Sequence, residues 1–69
     1  MTLTPEQIAT RHMATEVEYI NRLLNVRDIS KAEAVRLLGA AAIESAKAAG
    51  SGVTIKYGVN MNRAWFNVL

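Results

Sequence analysis

The chain contains no cysteine. That excludes disulfide bonds and thiolate zinc sites from a domain small enough to need such a staple. A single histidine leaves too few imidazoles for a multi-histidine metal centre within one chain. The few glycines do not gather into the phosphate-cradling patterns of the P-loop or the dinucleotide fingerprint. No apolar run approaches the roughly 20 residues needed to cross a bilayer. The N-terminus lacks the charged-then-apolar order of a secretory signal. These absences read as a cytoplasmic protein with no cofactor, no membrane partner and no small-molecule substrate. Neither charge sign dominates: the formal net charge of +2 permits a nucleic-acid partner without demanding one.

What is present amounts to one small domain over residues 1–69. A monomer of this size buries only about 60% of its unfolded surface. With staples and metals excluded, self-association is the remaining source of a sufficient core, so a homodimer is expected.

The stretch from Asn25 to Gly50 is the clearest element. Ser30 stands three residues before Glu33, the spacing of a capping box, and Ile29 is placed to act as a hydrophobic staple on Ala34. Ala34, Val35, Leu38, Ala41, Ala42, Ser45, Ala46 and Ala49 then recur at a helical period. Gly50 provides a left-handed stop, reinforced by Ser51-Gly52. The spacing predicts a helix over about 30–49. Its small residues, Gly39 and Ala40 to Ala42 among them, allow close approach of another helix, and Leu38 with Ala42 forms a candidate seam between chains. High alanine propensity alone also accounts for the composition.

Upstream, two readings stand. Thr4 as N-cap, Pro5 at the first helical position and Glu6 near the dipole's positive end start a helix over about 5–24. Ile8, Met13, Val17, Ile20 and Leu24 form its stripe. The alternative makes Gln7 to His12 a short strand, with Gln7, Ala9 and Arg11 on one face. The turn at Asn25 to Asp28 has no glycine or proline, and Val26 is expected to plug it from below.

Downstream, Val53 to Tyr57 alternates with β-branched and aromatic residues, a strand signal. Gly58 to Asn62 reads as a turn and Arg63 to Leu69 as a returning strand. The fold class is therefore α+β and mainly helical: two antiparallel helices, then a C-terminal β-hairpin or extended tail over 53–69, in an intertwined homodimer.

Catalytic chemistry finds little purchase. His12 and Glu16, four apart, share a helix face, but no nucleophile or second acid accompanies them. The chain reads as a binding protein, not an enzyme. Arg27, Lys31 and Arg36 surround the start of the second helix, where free N–H groups and the helix dipole attract phosphate.

At these residues a family likeness emerges. The segment VEYINRLLNVRDISKAEAVRLLGAAAIESA resembles the two-helix portion of ribbon-helix-helix transcriptional regulators, through Ser30, Glu33, Ala34 and Val35 followed by Leu37 and Leu38. The resemblance covers roughly Val17 to Ala46. It implies a dimer whose paired N-terminal strands enter the major groove of duplex DNA. The ribbon would then be Gln7 to His12. Gln7 would pair with adenine and Arg11 with guanine, while Ser30 and Lys31 hold the phosphate backbone. A C-terminal segment such as Val53 to Leu69 departs from the family's pattern.

A second function class competes. A small inhibitor or adaptor, of the kind phages encode among others, would capture and block a host protein such as a transcription factor. Its hot spot would be the aromatic tail, with Tyr57, Trp65 and Phe66.

Overall fold

A computed structural model describes residues 2–50 and 52–69. Met1 and Ser51, with the part in the helix stop expected of Ser51, lie outside the described residues. Helix α1 spans Pro5–Asn25 and helix α2 spans Lys31–Ala48; strands β1 (Ile55–Asn60) and β2 (Arg63–Val68) follow. The architecture is α+β, an antiparallel helix pair covered on one side by a β-hairpin.

The N-terminal ambiguity resolves as helix. Gln7 to His12 lies within the first turns of α1, so the strand alternative and its base-reading ribbon are corrected here. The cause is local. Thr4 and Gln7 form a full capping box, in which the Gln7 N–H donates to Thr4 Oγ1 at 3.2 Å and the Thr4 N–H donates to Gln7 Oε1 at 2.9 Å. Pro5 at the first helical position pre-sets φ for the turn. At α2 only half the expected box is built. The Glu33 N–H donates to Ser30 Oγ at 3.1 Å, but the Glu33 carboxylate turns forward to Arg36 instead of back to the cap.

Each helix buries one stripe. On α1 it is Ala9, Met13, Val17, Ile20 and Leu24, and on α2 it is Ala34, Leu38, Ala41 and Ser45. Ala9, fully buried, heads the first stripe in place of Ile8, which is only partly buried. Leu38, expected at a seam between chains, is instead core, fully buried inside this chain. Val35 is half-exposed, and Val26 points outward at 66% exposure instead of plugging the turn. Ser45 is the buried polar member, and its hydroxyl pairs with His12 Nδ1 at 2.7 Å.

The turn between the helices succeeds without glycine. Arg27 takes a left-handed φ of 60°. Its N–H donates to the Leu24 carbonyl at 3.1 Å, and the Asp28 N–H donates to the Leu23 carbonyl at 2.9 Å. That is the hydrogen-bond pair a C-terminal glycine usually completes. At the end of α2, Gly50 does occupy this position, with φ +88°.

The hairpin forms a two-stranded antiparallel ladder running from Ile55↔Val68 to Asn60↔Arg63. The turn is tighter than Gly58 to Asn62: β1 continues to Asn60, and only Met61 and Asn62 connect the strands, with φ of 51° and 64°. Two successive left-handed residues are the signature of the primed hairpin turn that matches strand twist. Ile55, Val59, Ala64 and Phe66 point inward onto the helices, and Phe66 and Val59 pack against the core cluster. Lys56, Gly58, Asn60, Arg63, Trp65 and Asn67 alternate outward.

The hairpin is fastened to α1 by one side chain. Asn21 Oδ1 accepts from the Ala64 N–H at 2.6 Å, and Asn21 Nδ2 donates to the Ala64 carbonyl at 3.1 Å. Val59↔Ala64 is a non-hydrogen-bonded rung, so these two backbone groups face away from β1 and Asn21 completes them. Replacing Asn21 with Leu leaves both groups of a buried residue without their partner. We expect a loss of about 2 kcal/mol, read as a Tm drop of about 10 °C in a melt followed by circular dichroism. An unchanged Tm would show that the hairpin is held by apolar contacts alone.

Candidate nucleic-acid interface

The molecule is elongated, 39 Å by 19 Å by 16 Å. At one end of it, two turns meet. The Leu24 carbonyl accepts from the Arg27 N–H and from Asn62 Nδ2, both at 3.1 Å. One oxygen thus ties the α1–α2 turn to the tip of the hairpin. Arg27, Lys31 and Arg63 are exposed at this end and, among the described residues, form no ion pair. Asp28 is the carboxylate between Arg27 and Lys31. Arg22 and Arg36 are engaged with Glu18 and Glu33, and the contact with Glu33 raises the pKa of Arg36 above its ordinary value. Ser30 caps α2 beside Lys31, so the remaining N–H groups of that first turn open toward the same end.

All the positive-φ non-glycine residues of the described chain lie here: Arg27, Met61 and Asn62. An L-residue in that region costs roughly 1–2 kcal/mol, with asparagine the exception. Strain of this kind gathers where a fold presents function.

The expected DNA contacts fall into two groups. Arg27, Ser30 and Lys31 come together at the end just described, and Arg63 joins them. Arg11 and Gln7 lie roughly 21 Å and 27 Å away along α1 from its C-terminal end, exposed on the first turns of the helix. The Gln7 side chain is occupied by its capping bond. Arg63 was missed as a site residue because a lone arginine between Asn62 and Ala64 carries no sequence signal. Only the hairpin register places it opposite Asn60.

Of the aromatic tail, Tyr57 and Trp65 are exposed, at 37% and 43%, and Phe66 is half-buried. Phe66 lies between hairpin and core. Tyr57 covers α2 at Gly39, where an added Cβ would stand 3.0 Å from the tyrosine hydroxyl oxygen. Trp65 lies across Gly58, its direct cross-strand partner, and stays 43% exposed. Ala42 lines a shallow groove of about 290 Å³ between α2 and β1, with Gly39, Ile43, Ala46, Ile55 and Tyr57.

A cleft of about 330 Å³ between the helices is lined by His12, Glu16, Tyr19, Ile20, Leu37 and Glu44, with no hairpin residue. Among the described residues, no group of three or more potential metal ligands is gathered there or elsewhere. Among the described residues, no helix is long and apolar enough to cross a membrane.

Arg27→Gly removes the Cβ penalty at the left-handed position while keeping both turn hydrogen bonds. The expected result is a gain of up to about 1 kcal/mol, allowing for the greater freedom of glycine in the unfolded chain. It appears as a Tm rise of a few degrees, and a lowered Tm would mean that the arginine side chain itself holds the turn. No protein-family model, curated protein or solved structure matches this chain.

Proposed function

We propose that the chain is a small DNA-binding regulator that works as a homodimer and meets duplex DNA with the end formed by the α1–α2 turn and the hairpin tip. The observation that carries this reading is that exposed Arg27, Lys31 and Arg63 stand on or beside two strained turns that the Leu24 carbonyl ties into one end of the molecule. The first turn of α2 adds free N–H groups for a phosphate. Beyond Glu44 the sequence has no carboxylate side chain, so nothing on the hairpin repels a polyanion. The resemblance to ribbon-helix-helix regulators supports the helix pair in this role, with the two-stranded ribbon supplied by the C-terminal hairpin in place of an N-terminal one. Base contact then falls to Asn60 and Arg63, residue types that read the A·T-versus-G·C pattern of the minor groove.

For the homodimer, the support is the flank of α2 beside β1. Val35 and Ile43 are 43% and 59% exposed there, and the small side chains of Ala42 and Ala46 leave room for a close neighbour. Ile43→Asp, at a position whose exposure spares the fold, converts the dimer to monomer in sedimentation equilibrium. An unchanged mass would move the seam elsewhere.

The DNA reading is tested by fluorescence anisotropy with duplex DNA. Affinity should fall steeply between about 50 and 200 mM salt as released counterions are recaptured. Changing Arg27 and Lys31 together to Gln should reduce the slope of log K against log salt by about 1.8 for each protomer bound, about 0.9 for each phosphate no longer neutralised. Gln7→Ala and Arg11→Ala should leave it unchanged. Absence of binding at low salt would return the chain to the protein-capturing class, with exposed Val26 and Met61 at the same end as its contacts.

A further inference from the structure

Among the described residues, Met61 has the highest exposure of the large apolar side chains, 89%. It occupies the first of the two left-handed positions in the hairpin turn, at φ 51°. Asparagine or glycine is the residue that position favours. Methionine there neither relieves the backbone nor joins the core cluster. Its support, however, is rigid. Asn60↔Arg63 closes the ladder directly behind it, Asn62 is bonded to the Leu24 carbonyl, and Ala64 is clamped by Asn21. The chain thus holds a thin, unbranched, apolar side chain at the tip of a fixed two-stranded wedge. Around that tip stand Asn60, Arg63, Arg27 and Lys31, groups that engage base edges and phosphates.

We propose that Met61 is an intercalating wedge that enters a base step from the minor groove and kinks the duplex. Apolar side chains flanked by Arg, Lys and Asn act this way in minor-groove proteins, where partial unstacking lets the bent duplex touch more of the protein. A thioether side chain is flexible enough to fit between base pairs. A flexible pyrimidine–purine step is the site that yields most readily. The inference rests on the DNA-binding reading and specifies how that end of the molecule engages its ligand.

The test uses the full chain and a duplex of about 20 base pairs with a central TA step, labelled at both ends for energy transfer. Met61→Asn suits the left-handed backbone and removes the wedge, whereas Met61→Leu keeps an apolar tip. The wild-type chain and Met61→Leu should bend the duplex by about 20° or more. Met61→Asn should melt several degrees higher than wild type, yet bind about tenfold more weakly and leave the duplex straight. A duplex that is bound but not bent by the wild-type chain overturns the wedge alone, as does equal bending by Met61→Asn. Failure of the wild-type chain to bind duplex at low salt overturns the wedge together with the reading beneath it.

Discussion

The pairing of the Asn21 carboxamide with the Ala64 backbone is the constraint on which the arrangement depends. A two-stranded hairpin in isolation is marginal in water, and this one needs the helices as its second layer. Ala64 is the most deeply buried residue of the hairpin, and its rung leaves an N–H and a carbonyl pointing away from β1. Without Asn21, docking would trap both groups unpaired, and the apolar contacts of Phe66 and Val59 would have to offset that cost. With Asn21, the side chain acts as a one-residue strand beside β2. It also occupies part of that edge, which would otherwise be open to pairing with another chain.

From that anchor the position of the tip follows. Once β2 is set against α1 at Ala64, the turn three residues back toward Asn60 must fall beside the C-terminus of α1. There Asn62 finds the Leu24 carbonyl already shared with Arg27. The two turns are therefore mechanically one unit. Both accept left-handed geometry at residues poorly suited to it, Arg27 and Met61. A chain under pressure for stability alone has glycine or asparagine available at each position. Arg27 and Met61 therefore carry a local backbone cost that glycine or asparagine would relieve.

Much of the scaffold was legible in the sequence because it is governed by local rules. Ser30 with the run from Ala34 marked α2, Gly50 marked its end, and the alternation from Val53 marked the hairpin. What escaped notice depended on tertiary contact or on exceptions to local preference. The capping partner Gln7 follows Thr4 at the right spacing, a signal that was open to reading and that separates helix from ribbon. Arg27 could not be recognised as a left-handed helix stop, since that position is usually glycine. Asn21 looks like an ordinary polar residue on an amphipathic helix, and only the folded hairpin gives it a partner. Leu38 and Ala42 lie on a small-residue stretch of helix whose periodicity is the same whether the neighbour belongs to this chain or to another. The structure separates them, with Leu38 inside and Ala42 on the α2–β1 flank.

The distribution of charge gives these parts a direction. Every carboxylate side chain falls on the helices or the turn between them, and Glu16 and Glu44 border the cleft on a face that the hairpin does not line. The hairpin carries Lys56 and Arg63 with no acidic residue. A polyanion approaching such a molecule is repelled from the cleft and drawn toward the hairpin, so long-range electrostatics favours the same side that the strained turns present at short range. Asp28 and Glu33 limit the positive field near the α2 N-terminus, and Glu33 spends its charge on Arg36. The cationic surface is therefore narrow and confined to one end. A narrow end touches few phosphates, so under the DNA reading affinity must come largely from a second copy and from close engagement at the tip.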